Sequence, residues 1–235
     1  MFSLAELEAA ARIVHESFPG TPQYTWPLLS ERCGAEVWVK HENHAPTGAF
    51  KVRGGLIYAE RLRRERPHVA GIISATRGNH GQSLAYAGRR YGIAVTIVVP
   101  HGNSREKNAA MRAFGATLLE HGVDFEAARE EAVRLAAERG LEFAPSFAPD
   151  LVKGVATYSL ELLRGAPALD AAEFMLSYRL CVLQHALKMI GRFENFERNG
   201  KTGYRQYIPH ALGQARRMLA EMRADFPKLS AALMP

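Results

Sequence analysis

Short apolar runs alternate with helix-forming segments in the middle of the sequence, and this alternation restricts the fold more than any single motif does. The pattern predicts strands at 71–75, 94–99 and 116–120, separated by helices at 79–91, 104–114 and 125–139. Gly92, Gly115 and Gly140 follow the three predicted helices, where glycine commonly ends a helix. Strands that are apolar throughout and are joined by helices form parallel sheets with helices on both faces. The sequence therefore predicts an α/β fold.

A lysine follows the turn that comes directly before another predicted helix. Pro46 disfavours helical backbone at the residue before it, and Gly48 can adopt backbone angles that are closed to other residues. Lys51 is thus expected on a rigid corner, at the start of a helix whose apolar positions are Leu56, Ala59 and Leu62. A lysine partly desolvated beside Phe50 loses its charge more easily and becomes a nucleophile toward carbonyl groups. For a lysine taken alone, an ordinary surface residue is the more common interpretation.

A second motif, residues 76–81, follows the predicted strand 71–75 and begins the next helix. Ligands of parallel sheets bind at the carboxyl ends of strands, and the amides at a helix start favour an anion. The plainer alternative is a glycine turn in which Asn79 caps the helix. The glycine spacing is neither that of a dinucleotide-binding loop nor that of a P-loop.

Together, the two motifs resemble the fold type II pyridoxal-phosphate enzymes, in particular the threonine/serine dehydratase (ammonia-lyase) group. The matching segments follow one another in the order 40–43, 47–54, 76–82, 98–100, 107–108, 114–116 and 154–157. The resemblance covers about residues 1–170. It implies a parallel sheet covered by helices, with a small domain at roughly 52–145 inserted in a large domain that is incomplete here.

The resemblance also implies a site and a reaction. The cofactor would be pyridoxal 5'-phosphate, bound by Lys51 through its aldehyde, by Phe50 near its ring and by Asn79 at its phenolic oxygen. The carboxylate of an amino acid substrate would bind the backbone amides around Thr76, Gly78, Asn79 and His80. The implied activity is that of a threonine ammonia-lyase, which eliminates water from a hydroxy amino acid and yields a 2-oxo acid and ammonia.

Two departures from the family pattern affect this interpretation. Arg77 stands where many relatives carry a small or hydroxyl residue, and it either pairs with a second acidic group of the substrate or faces solvent. The glycine-rich loop for the cofactor phosphate is missing after Asp170, so we expect weak cofactor binding and low lyase activity. The alternative is a catalytically incomplete remnant or fusion that acts as a binding or interaction module.

The sequence changes character after residue 170, and 171–235 is predicted to be a helical tail. Residues 183–193, with Tyr204 and 207–209, resemble the closing helices of aminoglycoside-phosphotransferase-like sugar kinases. The ATP-binding and catalytic segments of those kinases have no counterpart here, so a sugar kinase is a distant alternative. A divergent helical extension that covers a sheet edge is the plainer interpretation of the tail.

Composition excludes several other classes of protein. The formal net charge is +6, of which +5 belongs to the tail, but its basic residues are scattered, so nucleic-acid binding is not expected. Cys33 and Cys181 are too few for a disulfide framework and are expected to be buried. The histidines lack metal-ligand spacing, so no metal is expected. With no predicted membrane segment or leader, we expect a cytoplasmic protein that self-associates to cover the apolar surface of an unfinished domain.

Overall fold

The computed structural model describes residues 2–166 and 170–234, which fall into two compact units, Met1–Gly165 and Ala166–Pro235. In chain order the helices are α1 (Leu4–His15), α2 (Pro27–Cys33), α3 (Lys51–Glu65), α4 (Asn79–Tyr91), α5 (Arg105–Ala113), α6 (Phe125–Arg139), α7 (Pro149–Gly165), α8 (Ala171–Arg198), α9 (Ile208–Glu221) and α10 (Pro227–Leu233). The strands are β1 (Gln23–Thr25), β2 (Trp38–Lys40), β3 (Ile72–Ala75), β4 (Val95–Val99), β5 (Thr117–Glu120) and β6 (Glu142–Phe143).

A parallel sheet of four strands in the order β5-β4-β3-β6 forms the centre of the first unit. Neighbouring side chains of β3 enter different cores, because successive residues of a strand point to opposite faces. Ile72 joins the core that contains Leu56 of α3 and Leu84 of α4, whereas Ile73 joins the core that contains Ala132 of α6. Helices therefore cover both faces of the sheet, and the predicted α/β fold is confirmed.

Other parts of the first unit differ from the sequence expectations or were not anticipated. β1 and β2 form a separate antiparallel pair, and the two-residue strand β6 extends the parallel sheet at its edge. Cys33 and Cys181 are both exposed, so the prediction that they are buried was wrong. Cys33 ends the short helix α2, in which none of the seven residues is buried, so the helix does not take it into a core.

A cluster of charges lies inside the first unit. The Arg53 side chain is fully buried and donates to both oxygens of Glu42 and both oxygens of Glu161, at 2.6–2.9 Å. Lys40 Nζ lies 2.7 Å from Glu161, and the Thr157 hydroxyl lies 3.1 Å from Arg53. The cluster joins the first turn of α3 to α7 and to the segment around β2.

Two glycines let α3 and α7 approach each other until their backbones touch. A Cβ atom added at Gly154 would lie 2.3 Å from the backbone oxygen of Arg53 and 2.7 Å from the Cα of Gly54. A Cβ atom added at Gly54 would lie 2.6 Å from the backbone oxygen of Leu151. This close crossing brings α7 against the first turn of α3, where Lys51 lies.

Replacing Gly154 by alanine is expected to destabilise the first unit by about 1–3 kcal/mol, because the atoms in the way are backbone atoms that cannot rotate aside. Urea unfolding followed by circular dichroism measures the loss. Gly191→Ala in α8 is the control, since an added Cβ there meets nothing within 4 Å. An unfolding midpoint for Gly154→Ala at the wild-type urea concentration would contradict the close crossing.

The second unit is helical, as the apolar spacing predicts. Leu183 and Ala186 of α8 pack against Ala215, Leu219 and Met222 from α9 and the residue after it. After α8 come two further helices of this unit, since α9 ends at Glu221 and α10 begins at Pro227. Over the described residues, every helix is too short or too polar to traverse a lipid bilayer.

Candidate active site

Lys51 is the first residue of α3 and follows a turn with the backbone that the sequence predicts. Gly48 has a φ of +66°, in the left-handed region that glycine tolerates best. Ala45, before Pro46, is extended, with φ −67° and ψ 153°. The turn and the first helical residues therefore fix where the Lys51 side chain leaves the backbone.

A cavity of about 200 Å³ lies beside this lysine. We call it the Lys51 cavity, and its lining includes Phe50, Lys51, His80, Phe147, Leu151 and Val155. Lys51 Nζ lies 5.7 Å from the centre of the Phe147 ring. Phe147 is 81% exposed and Phe50 is 41% exposed, so two aromatic rings flank the lysine at the surface. Leu151 and Val155 come from α7, which the glycine crossing holds against α3.

A direct contact joins the lysine helix to the helix that follows the 76–81 motif. The Ser83 hydroxyl of α4 donates to the backbone oxygen of Lys51 at 2.6 Å. A Cβ atom added at Gly55 would lie 2.3 Å from that hydroxyl oxygen, so only glycine leaves space for the contact. Ser83 is fully buried. The two sequence motifs are therefore held against each other by neighbouring helical turns.

His80, in the first turn of α4, is a buried histidine in the Lys51 cavity. The residue is 5% exposed, and its Nε2 atom has no hydrogen-bond partner among the described residues. Burial, and to a lesser extent the positive charge of Lys51, lowers the pKa of His80 to about 4. The Ala144 backbone has a smaller effect that raises this pKa. The imidazole is therefore neutral at pH 7.

We expect the His80 resonances to titrate near pH 4 in an NMR experiment, below the ordinary histidine pKa of 6.5. The unfolded chain then binds a proton at higher pH than the folded chain does. Between about pH 6.5 and 4 the free energy of unfolding should fall as pH falls, by up to about 1.4 kcal/mol per unit. His80→Gln should remove this part of the pH dependence. A midpoint near 6.5 for His80 would contradict its burial in neutral form.

The structure brings together only some of the residues that the sequence predicts for the site. Phe50, Lys51 and His80 line one cavity. Thr76 and Gly78 are buried, and the Gly78 amide donates to the Thr76 hydroxyl at 3.1 Å, so this amide already has an acceptor. Asn79 begins α4 and is exposed. It is not among the described residues that line the cavity. The roles given to these three residues stay predictions.

Arg77 is exposed, which is one of the two positions that the sequence left open for it. A second cation, Lys107, lies at the same loop. A Cβ atom added at Gly78 would lie 2.7 Å from Lys107 Cδ and 3.4 Å from Lys107 Nζ. Phe147, Leu151 and Val155 also line the cavity and were not predicted from the sequence. The one signal that could have indicated them is the matching segment 154–157, which lies on α7.

Sequence comparisons agree on a family for the first unit. Residues 15–175 match the family described as pyridoxal-phosphate dependent enzyme. The chain is 34% identical over 158 residues to the biosynthetic L-threonine dehydratase of Haemophilus influenzae, covering 67% of this chain and 31% of the relative. It is 34% identical over 166 residues to the L-threo-3-hydroxyaspartate ammonia-lyase of Saccharomyces cerevisiae, covering 70% of this chain and 50% of the relative.

Comparisons of structures give the same result. A threonine deaminase from T.th. has a TM-score of 0.63 at 34% identity, covering 69% of this chain and 51% of that protein. A pyridoxal 5'-phosphate-dependent aspartate racemase has a TM-score of 0.68 at 31% identity, covering 72% and 53%. The chain spans about a third to a half of the length of these proteins. As the sequence resemblance predicted, the chain belongs to the family of pyridoxal-phosphate dependent enzymes, through residues 15–175.

Proposed function

We propose that the first unit carries part of the active site of a pyridoxal-phosphate-dependent dehydratase. The substrate class is a hydroxy amino acid, from which water is eliminated to give a 2-oxo acid and ammonia. One observation carries the proposal: Lys51 and His80, whose Nε2 has no hydrogen-bond partner among the described residues, line the same cavity as Phe50 and Phe147. The names of the relatives, a threonine dehydratase and a hydroxyaspartate ammonia-lyase, support the reaction type.

The residues of the Lys51 cavity fit the aldehyde and the ring of the cofactor. The Lys51 amine is the group that reacts with an aldehyde, and Phe50 and Phe147 offer apolar surface to an aromatic ring. The phosphate fits less well. Among the described residues that line the cavity, Lys51 has the only charged side chain, so a phosphate there has no cation of its own.

In the proposed mechanism, the bound cofactor supplies a ring that withdraws electrons from the substrate α-carbon. Lys51 would hold the cofactor through its aldehyde, and the free amine of Lys51 would accept the α-proton of the substrate at Nζ. Backbone amides at the start of α4 would orient the substrate carboxylate. Phe50 and Phe147 would place apolar ring surface beside Lys51. His80 is neutral, so it adds no second positive charge beside Lys51.

We further propose that turnover is low, because the phosphate-binding glycine loop of the family is missing from the sequence after Asp170. Without this nest of backbone donors, the cofactor is retained mainly by Lys51 and the apolar walls of the cavity. The chain then acts as an impaired lyase.

Release of ammonia from L-threonine, L-serine and L-threo-3-hydroxyaspartate tests the proposed reaction. With saturating pyridoxal phosphate, we expect turnover at least roughly a hundredfold below the typical enzyme value of about 10 per second. Lys51→Arg is the matched control, since it keeps the positive charge but cannot link to an aldehyde. Ammonia release by the control at the wild-type rate would contradict the proposed function, and robust wild-type turnover would contradict the proposed impairment.

A further inference from the structure

The helix that carries Lys51 begins without a polar capping residue. Phe50 precedes α3, and its apolar side chain cannot accept from the free amides of the first turn, as the Asp124 side chain does for α6. The Val52 amide donates to the Ala49 oxygen at 3.5 Å, which is longer than the usual distance of about 2.9–3.0 Å. Helix ends fray readily, so a further contact is needed to fix the backbone at this position.

A contact from α4 fixes the start of α3. The Ser83 hydroxyl, which is fully buried, donates to the backbone oxygen of Lys51 at 2.6 Å. In an α-helix this oxygen also accepts from the amide four residues later, which here is that of Gly55. A carbonyl oxygen has two lone pairs, so both donors can bind it. The helix therefore satisfies the Lys51 carbonyl without Ser83, and the additional bond acts on its direction.

The direction of this carbonyl decides where the lysine side chain begins. The carbonyl carbon is bonded to the Cα of Lys51, so a fixed oxygen also fixes the plane from which the side chain departs. Ser83 follows His80 by three residues on the same helix, and His80 lines the Lys51 cavity. The bond therefore fixes Lys51 relative to a wall of the cavity in which its amine would react. Reactions that need a defined geometry lose rate steeply when a group is displaced by about 1 Å.

We propose that Ser83 is a positioning residue for Lys51, because its hydroxyl sets the direction in which Nζ enters the Lys51 cavity. The inference rests on the proposed function, in which Lys51 links to the cofactor. Ser83 is not among the described residues that line the cavity, so it acts through the backbone of Lys51. Gly55 is part of the same arrangement, since a Cβ atom added there would lie 2.3 Å from the Ser83 hydroxyl oxygen.

Replacing Ser83 by alanine removes the hydroxyl and adds no atom to the buried site. The full chain is mixed with increasing concentrations of pyridoxal phosphate and reduced with borohydride, and the labelled Lys51 peptide is measured by mass spectrometry over time. We expect the labelling rate at saturation to fall roughly tenfold, because Nζ is no longer held in the reactive geometry. The half-saturating concentration should stay within roughly twofold of the wild-type value, because the cavity walls are unchanged.

Ser74→Ala is the matched control. The Ser74 hydroxyl is also buried and also donates to a backbone oxygen at 2.6 Å, but the acceptor is Ala144 rather than Lys51. This variant loses a bond of the same kind and should label Lys51 at the wild-type rate. Equal rate losses in the two variants, or a wild-type rate in Ser83→Ala, would overturn the inference while leaving the role of Lys51 intact.

Acetic anhydride separates positioning from a merely structural role, because it labels exposed amines without a binding site. Its labelling of Lys51 should be the same in Ser83→Ala and in the wild type. Faster labelling in the variant would show that the start of α3 unfolds locally, which would overturn the inference.

A measurement on the wild-type protein does not depend on whether any variant folds. The buried Ser83 hydroxyl proton should give a slowly exchanging NMR signal, and rapid exchange with water would overturn the inference. If pyridoxal phosphate labels Lys51 no faster than the exposed Lys107 in the wild type, both this inference and the proposed function are wrong.

Discussion

Replacing Arg53 by methionine should destabilise the first unit by about 3–5 kcal/mol, which is a large part of the roughly 5–15 kcal/mol that stabilises a typical domain. The guanidinium is fully buried and is shared by the carboxylates of Glu42 and Glu161. Methionine matches much of the apolar stem but leaves these carboxylates without their main donors. Leaving a buried charge without its partner costs far more than losing a pair at the surface.

The same cluster predicts how acid acts on the protein. Burial alone would raise the pKa of Glu161, but hydrogen bonds from Arg53, Lys40 and His15 outweigh burial and lower that pKa to about 2. A depressed carboxyl pKa stabilises the fold above the ordinary value of 4.5, and the benefit is lost as pH falls from there toward 2. Arg53→Met should therefore show a weaker loss of stability over this range than the wild type does.

Urea unfolding at pH 7 measures the effect of Arg53→Met. Arg134→Met is the matched control, because Arg134 also contacts two glutamates but is 59% exposed, and its unfolding midpoint should stay at the wild-type value. Arg53→Lys should give an intermediate loss, since one ammonium cannot reproduce the forked contacts to two carboxylates. Equal midpoints for Arg53→Met and Arg134→Met would show that the cluster contributes little to stability.

Replacing Lys51 by alanine should reduce ammonia release to the rate measured without protein, while the fold survives. The side chain is only partly buried, and no ion pair holds it among the described residues, so its loss removes few stabilising contacts. The reaction depends on it for both the covalent link and the proton held at Nζ. A wild-type unfolding midpoint combined with no ammonia release would separate a catalytic role from a structural one. Ammonia release at the wild-type rate would contradict the role given to Lys51.

The regular part of the fold was predictable because local signals agree with the tertiary structure. Helices α4 and α6 end where the sequence predicts, since Gly92 and Gly140 adopt the left-handed backbone, with φ of +68° and +64°. Between them, β4 is apolar except for Thr96, as expected for a strand that helices cover on both faces, whereas β5 begins and ends with the exposed polar residues Thr117 and Glu120. Helix α7 was not predicted from its pattern, and only the matching segment 154–157 marked it.

The candidate site was predictable only in part, because its walls come from distant parts of the chain. Lys51 and His80 each belong to a local motif at the start of a helix, which sequence patterns reveal. Phe147 has no such motif, and it reaches the lysine only because the backbones of α3 and α7 touch at Gly54 and Gly154. Cys33 was predicted to be buried because free cysteines are usually buried in folded proteins. In the structure it lies at an exposed helix end.

Covalent capture of the cofactor tests the central claim most directly. Protein mixed with pyridoxal phosphate and reduced with borohydride should carry the added group on the peptide that contains Lys51, and Lys51→Ala should carry none at that position. Lys107, which is exposed at the neighbouring loop, is the internal reference for nonspecific labelling. Labelling of Lys51 well above Lys107 is the predicted result. Labelling of Lys107 and other exposed lysines at the level of Lys51 would contradict the assignment of this cavity as the cofactor site.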